Sequence, residues 1–159
     1  MPVTTRIDEV RNEVTTLAEA SPTAEDLMRG VCNLLHERML KYNWVGFYML
    51  EPGARPPMLV LESFVGAMTP HTRIPLNQGI CGAAASSGKT IVVDDVSKDP
   101  RYLACSLETK SEIVVPIFVR EEVAGELDID SHFAAAFGCE DQKLVQYCAE
   151  VVGKKLEKS

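Results

Sequence analysis

Between Ser111 and Ser131 the chain reads S-E-I-V-V-P-I-F-V-R-E-E-V-A-G-E-L-D-I-D-S, two apolar runs joined by the polar turn Arg120-Glu121-Glu122. A strand period of two sorts the second run by face. Val123, Gly125, Leu127 and Ile129 fall on one side, and Ala124, Glu126, Asp128 and Asp130 on the other. Glu112, on the first run, joins the acids if the pairing register allows. Carboxylates this close repel, so the cluster persists only if it is solvated, partly protonated or turned toward a cation. Charged residues usually face water. The pattern alone therefore leaves two readings, a solvated sheet edge and a site for a cationic ligand.

Sulfur supplies the second candidate chemistry. The five cysteines are Cys32, Cys81, Cys105, Cys139 and Cys148. An odd number without C-x-x-C spacing speaks against a disulfide framework or a zinc knuckle, so the thiols are expected to be reduced, with no metal and no cofactor. Cys81 falls in the first turn of a short helix opened by Gln78-Gly79-Ile80, where the positive end of the helix dipole favours thiolate. Cys105 sits in the polar loop 104–110, directly before the carboxylate-bearing strands. It is either a reactive thiol or an incidental small residue, since reactivity needs a depressed pKa. Cys32 and His36 lie beside an apolar helical stripe and read as structural or surface residues. In Tyr42 to Leu50, Trp44, Gly46, Tyr48 and Leu50 share a face, and Gly46 leaves space between the two rings. That face is a pocket wall or a packed aromatic patch.

The elements that must hold these groups follow from periodicity and punctuation. Thr4 to Ala20 forms an amphipathic helix with Ile7, Val10, Val14 and Leu17 on one face, suited to packing or to a homodimer contact. Ser21-Pro22-Thr23-Ala24-Glu25-Asp26 carries helix-start signals, and Leu27, Val31, Leu34, Leu35 and Met39 mark the buried face that follows. Tyr42 to Leu50 and Met58 to Val65 form a hairpin, 66–76 a loop containing His71, 81–87 a short helix ended by Gly88, and 91–93 a short strand. Asp94 to Leu103 reads as a loop with a helical turn. Glu140 to Leu156 closes the chain as a helix with Leu144, Tyr147, Cys148, Val151 and Val152 on its apolar stripe. Adjacent strands with helices gathered at the ends indicate an α+β fold with an antiparallel sheet in a single domain.

Composition narrows the function. A chain of 159 residues with 46% hydrophobic content supports one sizeable core. A net charge of −7 argues against nucleic acid or an anionic membrane as partner. No apolar run approaches about 20 residues and no export signal opens the chain, so a soluble cytoplasmic protein is expected.

Asp99-Pro100-Arg101-Tyr102-Leu103-Ala104, then Ser111 to Ile117, Gly125 to Ser131, and Phe137 followed by Glu140-Asp141 resemble a GAF domain over about residues 20–155. Within that superfamily the chain is similar to the free methionine-R-sulfoxide reductases. The shared fragments are Tyr42-Asn43-Trp44-Val45-Gly46-Phe47-Tyr48, Arg73-Ile74-Pro75, Gly79-Ile80-Cys81-Gly82, Ala104-Cys105, Ser111-Glu112-Ile113-Val114-Val115-Pro116 and Leu127-Asp128-Ile129-Asp130-Ser131.

This resemblance implies a six-stranded antiparallel sheet flanked by helices, with residues 1–20 an N-terminal helix and 21–159 the GAF domain. The ligand would lie between the sheet and the loops carrying Cys81 and Cys105. Cys105 matches the nucleophile, Glu112, Asp128 and Asp130 the pocket carboxylates, and Trp44 and Tyr48 the rings lining the cavity. The implied reaction is reduction of free methionine-R-sulfoxide by a cysteine thiolate: a protonated carboxyl supplies a proton to the departing oxygen, and carboxylates hold the ligand ammonium. A thioredoxin-like dithiol would regenerate the enzyme. Ten residues before Cys81 the family usually carries a third cysteine, and here His71 stands there. The resemblance thus leaves Cys81 as the expected disulfide partner of Cys105. A non-catalytic GAF module sensing a small amino-acid-like ligand is the alternative.

Overall fold

The computed structural model describes residues 5–103 and 107–158. Cys105, the candidate nucleophile, lies outside the described residues. The elements run α1 (Arg6–Ala20), α2 (Ala24–Arg38), β1 (Trp44–Leu50), β2 (Met58–Val65), β3 (Arg73–Pro75), α3 (Gly79–Ser87), β4 (Ile91–Val93), a 3-10 turn (Val96–Lys98), β5 (Ser111–Val119), β6 (Glu122–Ser131) and α4 (Cys139–Glu157). The six strands form one antiparallel sheet in the order β3-β2-β1-β6-β5-β4. This is the α+β architecture expected from the sequence, with β6 at its centre.

The helices begin where side chains satisfy their free N–H groups. Thr5 Oγ1 accepts from the Asp8 N–H at 3.1 Å while Asp8 Oδ2 accepts from the Thr5 N–H at 3.2 Å, a reciprocal cap for α1. Thr23 Oγ1 caps α2 by accepting from the Asp26 N–H at 3.1 Å. Val10 and Val14 turn inward, and α1 packs across α2 and α4. Leu27, Val31 and Leu35 of α2 are fully buried, each contributing about 1.5–3 kcal/mol of apolar burial.

Alternation along the strands divides the core in two. One face of the sheet carries Val45, Phe47, Met49, Ile113, Val115, Leu127 and Ile129, packed under α1, α2 and α4. The other carries Trp44, Tyr48, Leu59 and Val114, covered by Ile80, Cys81, Ala84 and Ala85 of α3. The separation of Val45, Phe47 and Met49 from Trp44 and Tyr48 is the one that strand periodicity predicts.

Three local features depart from the sequence reading. The segment 66–76 contains the short strand β3, whose three residues pair with Met58, Leu59 and Val60; a strand this short has no periodicity to betray it. The β5–β6 turn is tighter than the polar triplet suggests, because Glu122 already pairs with Val119. Arg120 (φ 49°) and Glu121 (φ 70°) alone make the reversal, both in left-handed conformation. Finally, Ile117 pairs with Gly125 but Phe118 with Val123, so Ala124 is an extra residue in β6. The bulge turns Ala124 into the helix-covered core and Val123 to the acid side, the reverse of simple alternation.

Candidate active site

The sheet register builds the site. On the face beneath α3, Trp44, Gly46 and Tyr48 of β1 stand opposite Asp130, Asp128 and Glu126 of β6. Across β6, Asp130 pairs with Glu112 of β5, Asp128 with Val114, and Glu126 with Pro116. Directly paired residues on one face lie about 4.5–5.5 Å apart at Cβ, so four carboxyl groups share a small patch. The patch is not a wet edge. Glu112 is 5% exposed, Glu126 0%, Asp128 3% and Asp130 3%, which decides between the two readings of the acid pattern.

The helix α3 closes this patch from above. Gly82 lets the helix approach the preceding turn, since a Cβ there would lie 2.8 Å from the Leu76 carbonyl oxygen and 2.9 Å from that of Pro75. Seated this close, α3 directs the Cys81 thiol at the acids, where it donates to Asp128 Oδ2 at 3.4 Å. Sγ of Cys81 and carboxylate oxygens of Glu112 and Asp128 lie within 4.8 Å of one another.

Burial dominates the electrostatics. It pushes the Glu112 carboxyl well above its ordinary range, with Asp128 and Asp130 adding like-charge repulsion. Asp130 is raised in the same way, by burial and then by Asp128. Burial also raises Glu126, against the pull of the adjacent Cys81 thiol, and Asp128, against that of Glu112 and then of Cys81. The Cys81 thiol is itself pushed far up, first by burial and then by Asp128, Glu126 and Glu112. The helix-start position that favours thiolate at Cys81 is thus outweighed, and the group is held as a thiol. Asp128 Oδ1, Asp130 Oδ1 and both oxygens of Glu126 are buried without a hydrogen-bond partner among the described residues.

The aromatic wall differs in detail from expectation. The space above Gly46 is filled by the Trp44 indole itself: a Cβ on Gly46 would fall 2.3 Å from the ring. The indole stacks on Phe64 at 5.7 Å and on Tyr48 at 6.3 Å between ring centroids, and its Nε1 donates to the Ala67 carbonyl at 3.0 Å. Tyr48 donates from its hydroxyl to the His71 carbonyl at 2.6 Å. These two bonds tie the segment 67–71 to β1. A cavity of about 90 Å³ opens beside it, lined by Asn43, Trp44, Thr69, Thr109 and Asp130 among others.

Trp44 and Asp130 of the expected site residues therefore line this cavity. Glu112 and Asp128 lie beside Asp130 in the acid patch with Cys81, and Tyr48 braces the wall. Asn43 entered the sequence reading only as part of the shared fragment Tyr42 to Tyr48, and Thr69 and Thr109 only as positions in the loops 66–76 and 104–110, because nothing in local periodicity brings those loop residues to Asp130. Glu126 shared the acid face in the strand pattern without a role assigned to it.

A six-stranded antiparallel sheet with α1, α2 and α4 on one face and the short helix α3 over the other is the architecture of the GAF class. The family model described as "GAF domain" matches residues 23–156. The Escherichia coli free methionine-R-sulfoxide reductase is 38% identical over 110 residues, 69% of this chain and 64% of that protein, so the match spans just under two thirds of its length. A type II free methionine-R-sulfoxide reductase from Thermoplasma acidophilum superposes with a TM-score of 0.79 at 40% identity, covering 89% of this chain and 96% of that one. The free methionine-R-sulfoxide reductase of Neisseria meningitidis, solved with its substrate, gives 0.88 at 34% identity over 95% and 88% of the two chains. The chain belongs to the GAF domain family, in the branch that contains the free methionine-R-sulfoxide reductases.

Proposed function

We propose that this protein reduces free methionine-R-sulfoxide to methionine. The observation that carries the reading is the buried patch of Glu112, Asp128 and Asp130 beside the Trp44 wall. Such a patch calls for a small cation or for protons, and a free amino acid brings an ammonium group. The likeness to reductases at 34–40% identity supports the same substrate class.

In the proposed cycle the carboxylates hold the ammonium, Trp44 and Tyr48 flank the thioether end, and the Cys105 thiolate attacks the sulfoxide sulfur. A protonated carboxyl of the patch, for which the raised Glu112 is suited, gives its proton to the sulfoxide oxygen, which passes as hydroxyl to the Cys105 sulfur as the bond to the methionine sulfur breaks. Methionine is released and Cys105 becomes a sulfenic acid. Cys81 then attacks that sulfur, water departs, and the Cys81–Cys105 disulfide is reduced by a thioredoxin-like dithiol in the cytoplasm. The N-terminal helix can also serve a homodimer in this scheme. A ligand-sensing GAF module without turnover is the second reading, favoured by the burial that holds Cys81 as a thiol.

The test is an assay of the purified protein against free methionine-R-sulfoxide, its S epimer and a peptide-bound sulfoxide, with a dithiol reductant. Turnover of the free R form alone, lost in Cys105→Ser with the fold intact, supports the reductase. Ligand binding without turnover would move the protein to the sensing modules.

A further inference from the structure

Glu126 has no assigned task in the proposed cycle, yet it is a fully buried acid with both oxygens unpartnered among the described residues. It shares a sheet face with Asp128, whose Oδ2 accepts from the Cys81 thiol at 3.4 Å, and an oxygen of Glu112 lies within 4.8 Å of both. A set that mixes carboxylate oxygens with one sulfur suits a borderline divalent cation such as Zn²⁺, which takes both.

We propose that Cys81, Glu112 and Asp128, closed by Glu126, form a binding site for a divalent cation of the Zn²⁺ class. Geometry supports it. With Zn–S near 2.3 Å and Zn–O near 2.0 Å, a tetrahedral site places sulfur and oxygen ligands about 3.5 Å apart. Cys81 Sγ and Asp128 Oδ2 already stand at 3.4 Å, and an oxygen of Glu112 lies within 4.8 Å of both. Glu126 stands outside that group of three, but it shares the sheet face of Asp128 and is fully buried, so a bound cation would draw its carboxyl in as the fourth donor. The ligands come from α3, β5 and β6, so no cysteine spacing in the sequence could announce them. The sulfur ligand disfavours Mg²⁺ and Ca²⁺, which take oxygen.

A cation seated here occupies Glu112 and Asp128 and caps Cys81. It therefore competes with an amino-acid ligand and blocks disulfide formation at Cys81. That consequence rests on the reductase reading; the metal site does not.

Cobalt(II) is the probe. Titrating the reduced full-length protein with Co²⁺ in the absence of substrate is expected to produce a thiolate-to-cobalt charge-transfer band at one equivalent, bleached by Zn²⁺. Cys81→Ser should abolish the band, Cys139→Ser should retain it, and the near-isosteric Glu126→Gln should weaken cobalt binding about tenfold or more. Absence of the band in the parent protein, or its survival in Cys81→Ser, overturns the site and leaves the acids simply protonated. Unchanged affinity in Glu126→Gln overturns the fourth ligand. Because the readout needs no turnover, a protein that reduces methionine sulfoxide but takes up no cobalt loses this site alone. One that binds cobalt without reductase activity loses only the enzymatic reading.

Discussion

The Cys81 thiol donates to Asp128 Oδ2 in a buried hydrogen bond of 3.4 Å. A helix N-terminus stabilises a nearby anion by about 0.3–1 kcal/mol, whereas two like charges about 4 Å apart near a protein surface repel by about 4 kcal/mol. Burial opposes the thiolate first and the acids second; together they outweigh the helix end, and Cys81 stays protonated. Cys32 and Cys148 are also buried, with thiols pushed up to about 12, while Cys139 is exposed at the start of α4. Alkylation of the folded protein at neutral pH should therefore label Cys139 well ahead of the other three. Asp128→Asn, which removes one repelling charge, should speed labelling at Cys81. Peptide mapping against time reads both; equal rates at Cys81 and Cys139 would contradict the arrangement.

The acid patch also sets a pH dependence of stability. Glu112, Glu126, Asp128 and Asp130 all have folded pKa values raised above their unfolded ones. The folded state then holds protons that the unfolded state has already released, so stability falls as pH rises from the unfolded values, about 4, through the raised folded values. Glu51, Asp95 and Asp99 are shifted down and act in the opposite sense, at lower pH. In the absence of ligand and metal, the melting temperature should decline from mildly acid to mildly alkaline pH. Glu126→Val removes one unpartnered buried acid and should raise stability by about 1–3 kcal/mol at neutral pH while flattening the decline. A melting temperature rising toward alkaline pH would refute the assignment.

Gly46 is held by the indole above it. A methyl group at this position would fall 2.3 Å from the Trp44 ring and 3.1 Å from Phe64 Cβ, so Gly46→Ala must push the indole out of its stack on Phe64 and Tyr48. A cost of about 1–3 kcal/mol is expected, as for other overpacked sites. Trp44 is the only tryptophan in the chain, so its fluorescence reports this displacement directly. Urea unfolding and the emission maximum together check the prediction; an unchanged spectrum with unchanged stability would show that the ring is not packed as described.

Most of the framework was legible in the chain because its strands alternate cleanly. The split of Val45, Phe47 and Met49 from Trp44 and Tyr48 follows from the period of two. Capping chemistry likewise announced the start of α2. What stayed hidden required contacts between distant segments. The strand β3 exists only because Met58, Leu59 and Val60 offer it an edge. The exchange of Val123 and Ala124 between faces comes from a bulge that simple alternation does not reveal. Burial of the acids was also out of reach, since the strand pattern gives their common face but not the helix α3 that covers it. Cys81 is the clearest case: local position argues for thiolate, and partners 31 to 47 residues away in the chain reverse it.

Recycling provides the last prediction, and the two faces of the sheet decide it. Once Cys105 has become a sulfenic acid, a second thiol must attack it before a dithiol donor can act. Cys32 and Cys148 are packed in the core under α1, α2 and α4, on the face of the sheet away from the acids. Cys139 begins α4, and His71 offers no sulfur. Cys81 lies on the acid side, under α3, the face on which the substrate is proposed to bind. Cys81→Ser should therefore complete one turnover per chain and then stall with a thioredoxin-like donor, while small thiols that attack the sulfenic acid directly restore part of the rate. The rapid-quench burst should match the enzyme concentration. Mass mapping of the oxidised parent protein should find Cys81 joined to Cys105; a bridge to Cys32, Cys139 or Cys148, or sustained thioredoxin-dependent cycling in Cys81→Ser, would remove Cys81 from the cycle.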